Sequence, residues 1–338
     1  MKILVITLLL TELTVTYRCQ LMQSYDYLFE PCIYQESNNT NEVICSGDGD
    51  LNLQTTFKIV DRRLPTPMKK FSRLYINNTA LKILPENSFR DVTFDEIIID
   101  GCKNLELLHE KSFTATNLIT KSITFRNNQK LSNISVFDIL SKFINLEEIY
   151  FFNNNIKHIP DEAFKPVIGP QVKLEFIQFY GKTIESIGNN PFAHLNNLKL
   201  LDISHTSIKT IGEKAFEFNT VSDNYLTIYL FGNNLLNETS FSVNSLSNIK
   251  RPVILEIEFM GKSWENPVYY REDILLPFLQ SNPQNNLSMP FTPYIDCQDC
   301  RNYWLIIHQQ CQQQLNHTLI CNNRNQFNDP GNFIDCTV

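Results

Sequence analysis

The run LEEIYFFNNNIKHIPDEAF, residues 146–164, places apolar side chains at Leu146, Ile149, Phe151, Ile156, Ile159 and Phe164, with Asn154 after the first alternation. The same spacing returns as Phe71, Leu74, Ile76, Thr79, Leu81, Leu84, Phe89 and as Leu198, Leu201, Ile203, Thr206, Ile208, Ile211, Phe216. Tyr225, Ile228, Leu230, Asn233, Leu235 and Phe241 form a further copy, and looser ones begin at Phe94, Thr120, Leu174 and Pro252. About eight units therefore follow one another at intervals of 23 to 28 residues. Self-similarity at that period predicts a stacked solenoid, in which each unit buries its apolar face only against its neighbours.

Within a unit, pairs such as Leu74/Ile76 and Ile149/Phe151 alternate with period two, which predicts a short strand with one face inward. The Asn, Thr or Cys that follows turns the chain and is expected to point inward, where it can satisfy backbone groups of adjacent units. Cys102, Lys182 and Met260 stand at this rung position instead of Asn, so local irregularity is expected at Lys182 and Met260, whose side chains cannot make that bond. The phenylalanines Phe89, Phe113, Phe137, Phe164, Phe192, Phe216 and Phe241 should close the far side as a core row. The alternate positions face the other way. They bring Tyr150, Phe152, Phe176, Tyr180, Leu200, Tyr229 and Phe231 onto one surface, with Glu148, Gln178 and Asp202 among them. Strands about 4.8 Å apart make this a contiguous patch roughly 15 to 20 Å across, and such patches commonly mark interaction sites. It is the candidate partner-binding surface, and truncating its rings is expected to weaken binding while leaving stability almost unchanged. Asn77 shares the outward register of the first full unit.

Composition narrows the function. The 338 residues are 43% hydrophobic and carry a net charge of −7, with no Lys/Arg run, which argues against nucleic acid as a partner. MKILVITLLLTELTVTYRCQ has Lys2 ahead of an apolar run at Ile3–Leu10, the layout of a secretory signal peptide over residues 1–20. No other segment has the apolar length of a membrane span. Asn38, Asn77, Asn133, Asn237, Asn286 and Asn316 fit the acceptor pattern for N-glycosylation. These features predict an extracellular, secreted glycoprotein.

The cysteines cluster at the ends: Cys32 and Cys45 before the array, and Cys297, Cys300, Cys311, Cys321 and Cys336 after it. Terminal units of a solenoid need caps, and disulfides staple them in an oxidising compartment. CxxC at 297–300 has neither the second ligand pair of a zinc site nor the βαβ setting of a redox site. LEEIYFFNNNI and LKLLDISHTSI match LxxLxLxxNxL, and on that motif the chain resembles the leucine-rich repeat family over residues 69 to 262. The resemblance implies an α/β solenoid, curved, with a parallel sheet on its concave face. Cysteine-capped extracellular members of that family imply Cys32–Cys45, Cys297–Cys321 and Cys300–Cys336 pairs, with Trp304 in the core of the C-terminal cap. The expected organisation is a leader at 1–20, an N-terminal cap at 21–68, repeats at 69–285 and a C-terminal cap at 286–338. Cys102 is expected to be a buried thiol. Cys311, in the polar run HQQCQQQ, is expected on a surface, free or linking a second chain.

No GxSxG elbow, phosphate-cradling glycine loop or HExxH is present, and the six histidines are scattered. GDGDLN opens like a calcium loop, but Leu53 and Ile59 stand where its glycine and glutamate belong. No catalysis, cofactor or metal is expected. The segment VICSGDGD ahead of the array, and the C-x-x-C…W…C…C end, are similar to secreted arthropod leucine-rich repeat proteins. That similarity implies a binding or scaffold module for an extracellular protein or, alternatively, a non-catalytic stabilising subunit of a secreted enzyme complex.

Overall fold

Wherever apolar and polar side chains alternate regularly, the backbone runs extended and pairs with the next such segment in the sequence. The computed structural model describes residues 26–37, 40–166, 173–219, 221–259, 265–289, 294–315, 319–321 and 336. The expected leader, Asn38, Met260 and Asn316 lie outside the described residues. The chain is mixed α/β and divides into two units, Met1–Leu146 and Glu147–Val338. The division falls inside the array expected at 69–285.

In the first unit an antiparallel hairpin of Ile33–Ser37 and Thr40–Gly47 starts the sheet, and Lys70–Asn78, Thr93–Asp100 and Ser122–Arg126 extend it in parallel. The Cys32–Cys45 disulfide ties the start of the hairpin to its second strand. Helix Leu53–Arg63 begins where the Asn52 side chain accepts the Thr55 N–H, and it buries Leu53, Phe57 and Val60. Phe57 meets Phe89 at 5.2 Å and Phe94 at 5.7 Å, while Phe71 meets Phe29 at 5.5 Å. These ring contacts pack the helix and the first strands into one buried cluster.

In the second unit six parallel strands follow in sequence order: Glu148–Phe152, Phe176–Tyr180, Leu200–Ser204, Leu226–Leu230, Val253–Ile257 and Asn286–Ser288. Their register aligns Ile149, Ile177, Leu201, Ile228, Leu255 and Leu287 in one inward row, all of them buried. Phe151 stacks on Phe179 at 5.0 Å in the next row. A smaller parallel ribbon, His158–Ile159, Ser186–Ile187 and Thr210–Ile211, runs behind each strand in the chain. All seven phenylalanines of the expected row are buried. Phe164 meets Phe192 at 5.9 Å and Phe192 meets Phe216 at 6.3 Å, whereas Phe113, in the first unit, meets Phe143 at 5.5 Å.

The inward polar rungs form as expected, with two differences. Asn233 accepts from the N–H (2.7 Å) and hydroxyl (2.6 Å) of Thr206 and donates to the Ile203 and Leu230 carbonyls. Asn128 likewise accepts from Cys102 N–H and donates to the Ile99 carbonyl. In the first full unit, however, the buried rung is Asn78, not Thr79: it accepts from the N–H groups of Ala80 and Leu81. At Lys182 the next residue takes over, the Thr183 hydroxyl donating to the Asn154 carbonyl at 2.6 Å, so the strand spacing passes through without a break. Six of the strands leave the sheet through a left-handed residue just before the rung position: Gly101, Asn127, Asn153, Gly181, His205 and Gly232. Gly232 is required there, since a Cβ would lie 2.3 Å from His205 Nδ1.

Late in the second unit the disulfides Cys297–Cys321 and Cys300–Cys336 form, and Trp304 is buried, its Nε1 donating to the Tyr270 carbonyl. Arg251 is buried as well. Its guanidinium donates to the carbonyls of Asn196, Asn224 and Tyr225 and lies 5.6 Å from the Phe218 ring centroid, while burial lowers its pKa. No helix of the described residues is long and apolar enough to cross a membrane.

Candidate functional site

On the second unit's sheet, alternation leaves one face to the core and the other uncommitted. Tyr150, Phe152, Phe176, Leu200, Tyr229 and Phe231 are half-buried and Tyr180 is exposed, while their strand neighbours Ile149, Phe151, Ile177 and Phe179 are buried. The expected residues therefore share one surface. Their rings also touch in sequence: Phe176 to Tyr150 at 5.0 Å, Tyr150 to Phe152 at 6.1 Å, and Phe152 to Tyr180 at 6.2 Å. The line continues from Tyr180 to His205 at 5.3 Å, from His205 to Phe231 at 5.5 Å, and from Phe231 to Tyr229 at 5.6 Å.

His205 was not among the expected residues. Counting by twos along LDISHTS stops at Ser204, and the imidazole joins the line because its left-handed backbone, φ 55°, ends the strand's alternation there. The signal was present as a His in a position otherwise held by Asn or Gly, the residue types that tolerate that conformation. Asp202 also differs from expectation: it is buried, accepting from Gln178 Nε2 at 2.6 Å and from Ser204 N–H at 3.1 Å. The mutual packing of the rings revises the expectation on stability too. Each interior ring removed loses two aromatic neighbours and each end ring one, and such pairs are each worth about 0.5–1.5 kcal/mol.

The corresponding face of the first unit has a different chemistry. Arg73 pairs with Glu42 at 2.7 Å and Glu96 at 2.6 Å, and Arg126 pairs with Asp100 at 3.2 Å. The Tyr75 hydroxyl donates to Asp100, and Asn77, in the outward register, donates to the Tyr75 oxygen. Every one of these carboxylates has an arginine partner within the face.

A cleft of about 760 Å³ in the second unit is lined by Glu238, Thr239, Tyr269, Arg271, Asp273 and Arg301 among others. Both its cations are committed: Arg271 to Asp273, and Arg301 to Asp299 while lying 3.7 Å over the Tyr269 ring. Each arginine holds its carboxylate below the usual range through the hydrogen bond between them. The sequon at Asn237 leads into this cleft through Glu238 and Thr239, and its side chain caps the short helical turn Glu238–Ser240. Asn286 lies on the last strand of the sheet with its Oδ1 buried and without a hydrogen bond. Asn133 opens helix Asn133–Leu140.

Cys311 is not on a surface. It is buried, and burial raises its thiol pKa. Two of the neighbouring glutamines that read as a solvated face are tied to backbone: Gln312 donates to the Leu305 carbonyl, and Gln314 to those of Leu279, Asn282 and Asn285. A link to a second chain through Cys311 is therefore closed off by its surroundings. Cys102 is buried as expected, and burial pushes its thiol up to about 11. Among the described residues no group of His, Cys, Asp and Glu side chains stands ready to hold a metal. No family model matches the chain, and no curated protein does.

Proposed function

We propose that the chain is a secreted, non-catalytic leucine-rich repeat module that holds an extracellular protein on the aromatic face of its second unit, the concave side of the solenoid. The observation that carries this is the unbroken line of seven partly exposed rings on a sheet face that the core does not use. Desolvated aromatic side chains supply the largest share of binding energy at protein interfaces, and rings already packed on one another lose little freedom when a partner covers them. In-register parallel strands, Asn and Thr rungs and disulfides near both chain ends support the repeat assignment. The disulfides also support secretion, because such bonds persist in oxidising compartments.

The test compares wild type with the Tyr150→Ala/Phe231→Ala protein, both immobilised and exposed to the native secreted fluid. Wild type retains one partner in stoichiometric amount; the variant loses at least about 2 kcal/mol of affinity for it while keeping its near-ultraviolet circular dichroism. Equal capture by two folded proteins overturns the assignment.

A further inference from the structure

The six strands of the second unit contain three carboxylates, Glu148, Asp202 and Glu256, all in the outward register, and no lysine or arginine. Register places Tyr229 directly between Asp202 and Glu256 on its neighbouring strands. With strands about 4.8 Å apart, one cation over that phenol lies within reach of both carboxylates. Asp202 is fixed by Gln178 and Ser204, whereas Glu256 makes no ion pair or hydrogen bond among the described residues. Near this row are also the His205 imidazole, against Phe231, the Ser204 hydroxyl, which is buried without a hydrogen-bond partner, and Glu258, whose carboxylate accepts the Gly232 N–H.

The first unit supplies the contrast. There the outward carboxylates Glu42, Glu96 and Asp100 are met by Arg73 and Arg126 from the same sheet. In the second unit the sheet supplies no such cation, and the carboxylates flank an aromatic ring. Burial and the two carboxylates raise the Tyr229 phenol pKa, and burial raises that of Glu256, so both anions bear on one partly desolvated spot.

We propose that the Asp202–Tyr229–Glu256 row is the receptor for an arginine side chain of the protein partner, its guanidinium over the Tyr229 ring and its N–H groups on the two carboxylates. The proposal rests on the aromatic face being the binding surface and names the chemistry of what docks there. A guanidinium fits better than an ammonium because it stacks on a ring and still presents donors at its edges. It also answers the uncompensated negative charge of the face, in the way complementary potentials select partners.

The probe is hexa-arginine amide, with uncharged hexa-citrulline amide as its shape control, passed over the immobilised secreted protein. Hexa-arginine binds and hexa-citrulline does not. Glu256→Gln weakens hexa-arginine by about tenfold, and Asp202→Asn/Glu256→Gln abolishes it. Glu185→Gln, which removes the same charge from an exposed site paired with Lys209, changes nothing. Absence of hexa-arginine binding to wild type, equal weakening by Glu185→Gln, or full binding by the double variant each overturns the proposal. Capture of the native partner separates the two readings. If Tyr150→Ala/Phe231→Ala loses the partner while Glu256→Gln keeps it at full affinity, the aromatic surface stands and the arginine receptor falls. If both variants keep it, both fall.

Discussion

Replacing Asn233 by leucine keeps the branching and the number of side-chain heavy atoms and removes every bond of a rung that is fully buried. Four groups lose their partner: the Thr206 N–H and hydroxyl and the carbonyls of Ile203 and Leu230. A buried polar group left unpaired costs about 1–3 kcal/mol, so four at the low end amount to about 4–5 kcal/mol. The added apolar burial of leucine returns about 1–2 kcal/mol. The expected net loss is about 3 kcal/mol. Thr206→Val is the discriminating companion: Asn233 Oδ1 keeps the Thr206 N–H, one bond is lost, and the cost is about 1 kcal/mol. Urea unfolding followed by tryptophan fluorescence measures both, because buried Trp304 lies in the second unit with the rung. At a slope of about 2 kcal/mol per molar, the Asn233→Leu midpoint falls by about 1.5 M and the Thr206→Val midpoint by about 0.5 M. If the two midpoints coincide, the rung does not carry the energy assigned to its hydrogen bonds.

Two further outcomes follow from the ends and the buried thiols. Cys321→Ser opens the loop closed with Cys297, 24 residues away; it lowers stability by about 3 kcal/mol and reduces the secreted yield, while peptide maps of unreduced wild type contain the Cys297–Cys321 and Cys300–Cys336 links. The Cys102 thiol keeps its proton in the folded chain to a pH of about 11, above the value of an unfolded thiol, so folding stability declines as pH rises through that window. Cys102→Ala flattens the alkaline end of the stability curve, and native wild type at pH 8 resists alkylation at Cys102 until it is unfolded.

The end pairs of cysteines came from the family resemblance, whereas the apolar alternation and the rungs at Asn154, Thr206 and Asn233 were legible because each rests on local spacing that the backbone geometry enforces. Asn78 was not, since INNTA offers three adjacent polar side chains, and only the extension of Lys70–Asn78 by one more inward position selects among them. Arg251 reads as a solvated charge in NIKRPV; its burial depends on three carbonyls brought together from Asn196, Asn224 and Tyr225, a long-range condition with no local trace. HQQCQQQ misleads for the related reason that glutamine amides serve buried backbone as readily as water. In the candidate site, alternation located all seven expected side chains, and it missed His205 because the strand's period ends where the left-handed exit begins.

The placement of the cysteines has a consequence for how a reduced chain regains its oxidised form. Of the nine cysteines, the eight that follow the expected leader admit roughly a hundred complete pairings, yet the three bonds among the described residues close segments of only 13, 24 and 36 residues. Short loops close at the smallest entropic cost, so nearness along the chain already favours these partners over crossings from end to end. The dangerous competitor is local as well: Cys311 lies nearer to Cys321 in sequence than Cys297 does. Its burial removes that thiol from exchange in the folded chain. Correct oxidation of the C-terminal end thus depends on a hydrophobic and hydrogen-bonding event, the sequestration of one sulfur before its neighbours oxidise.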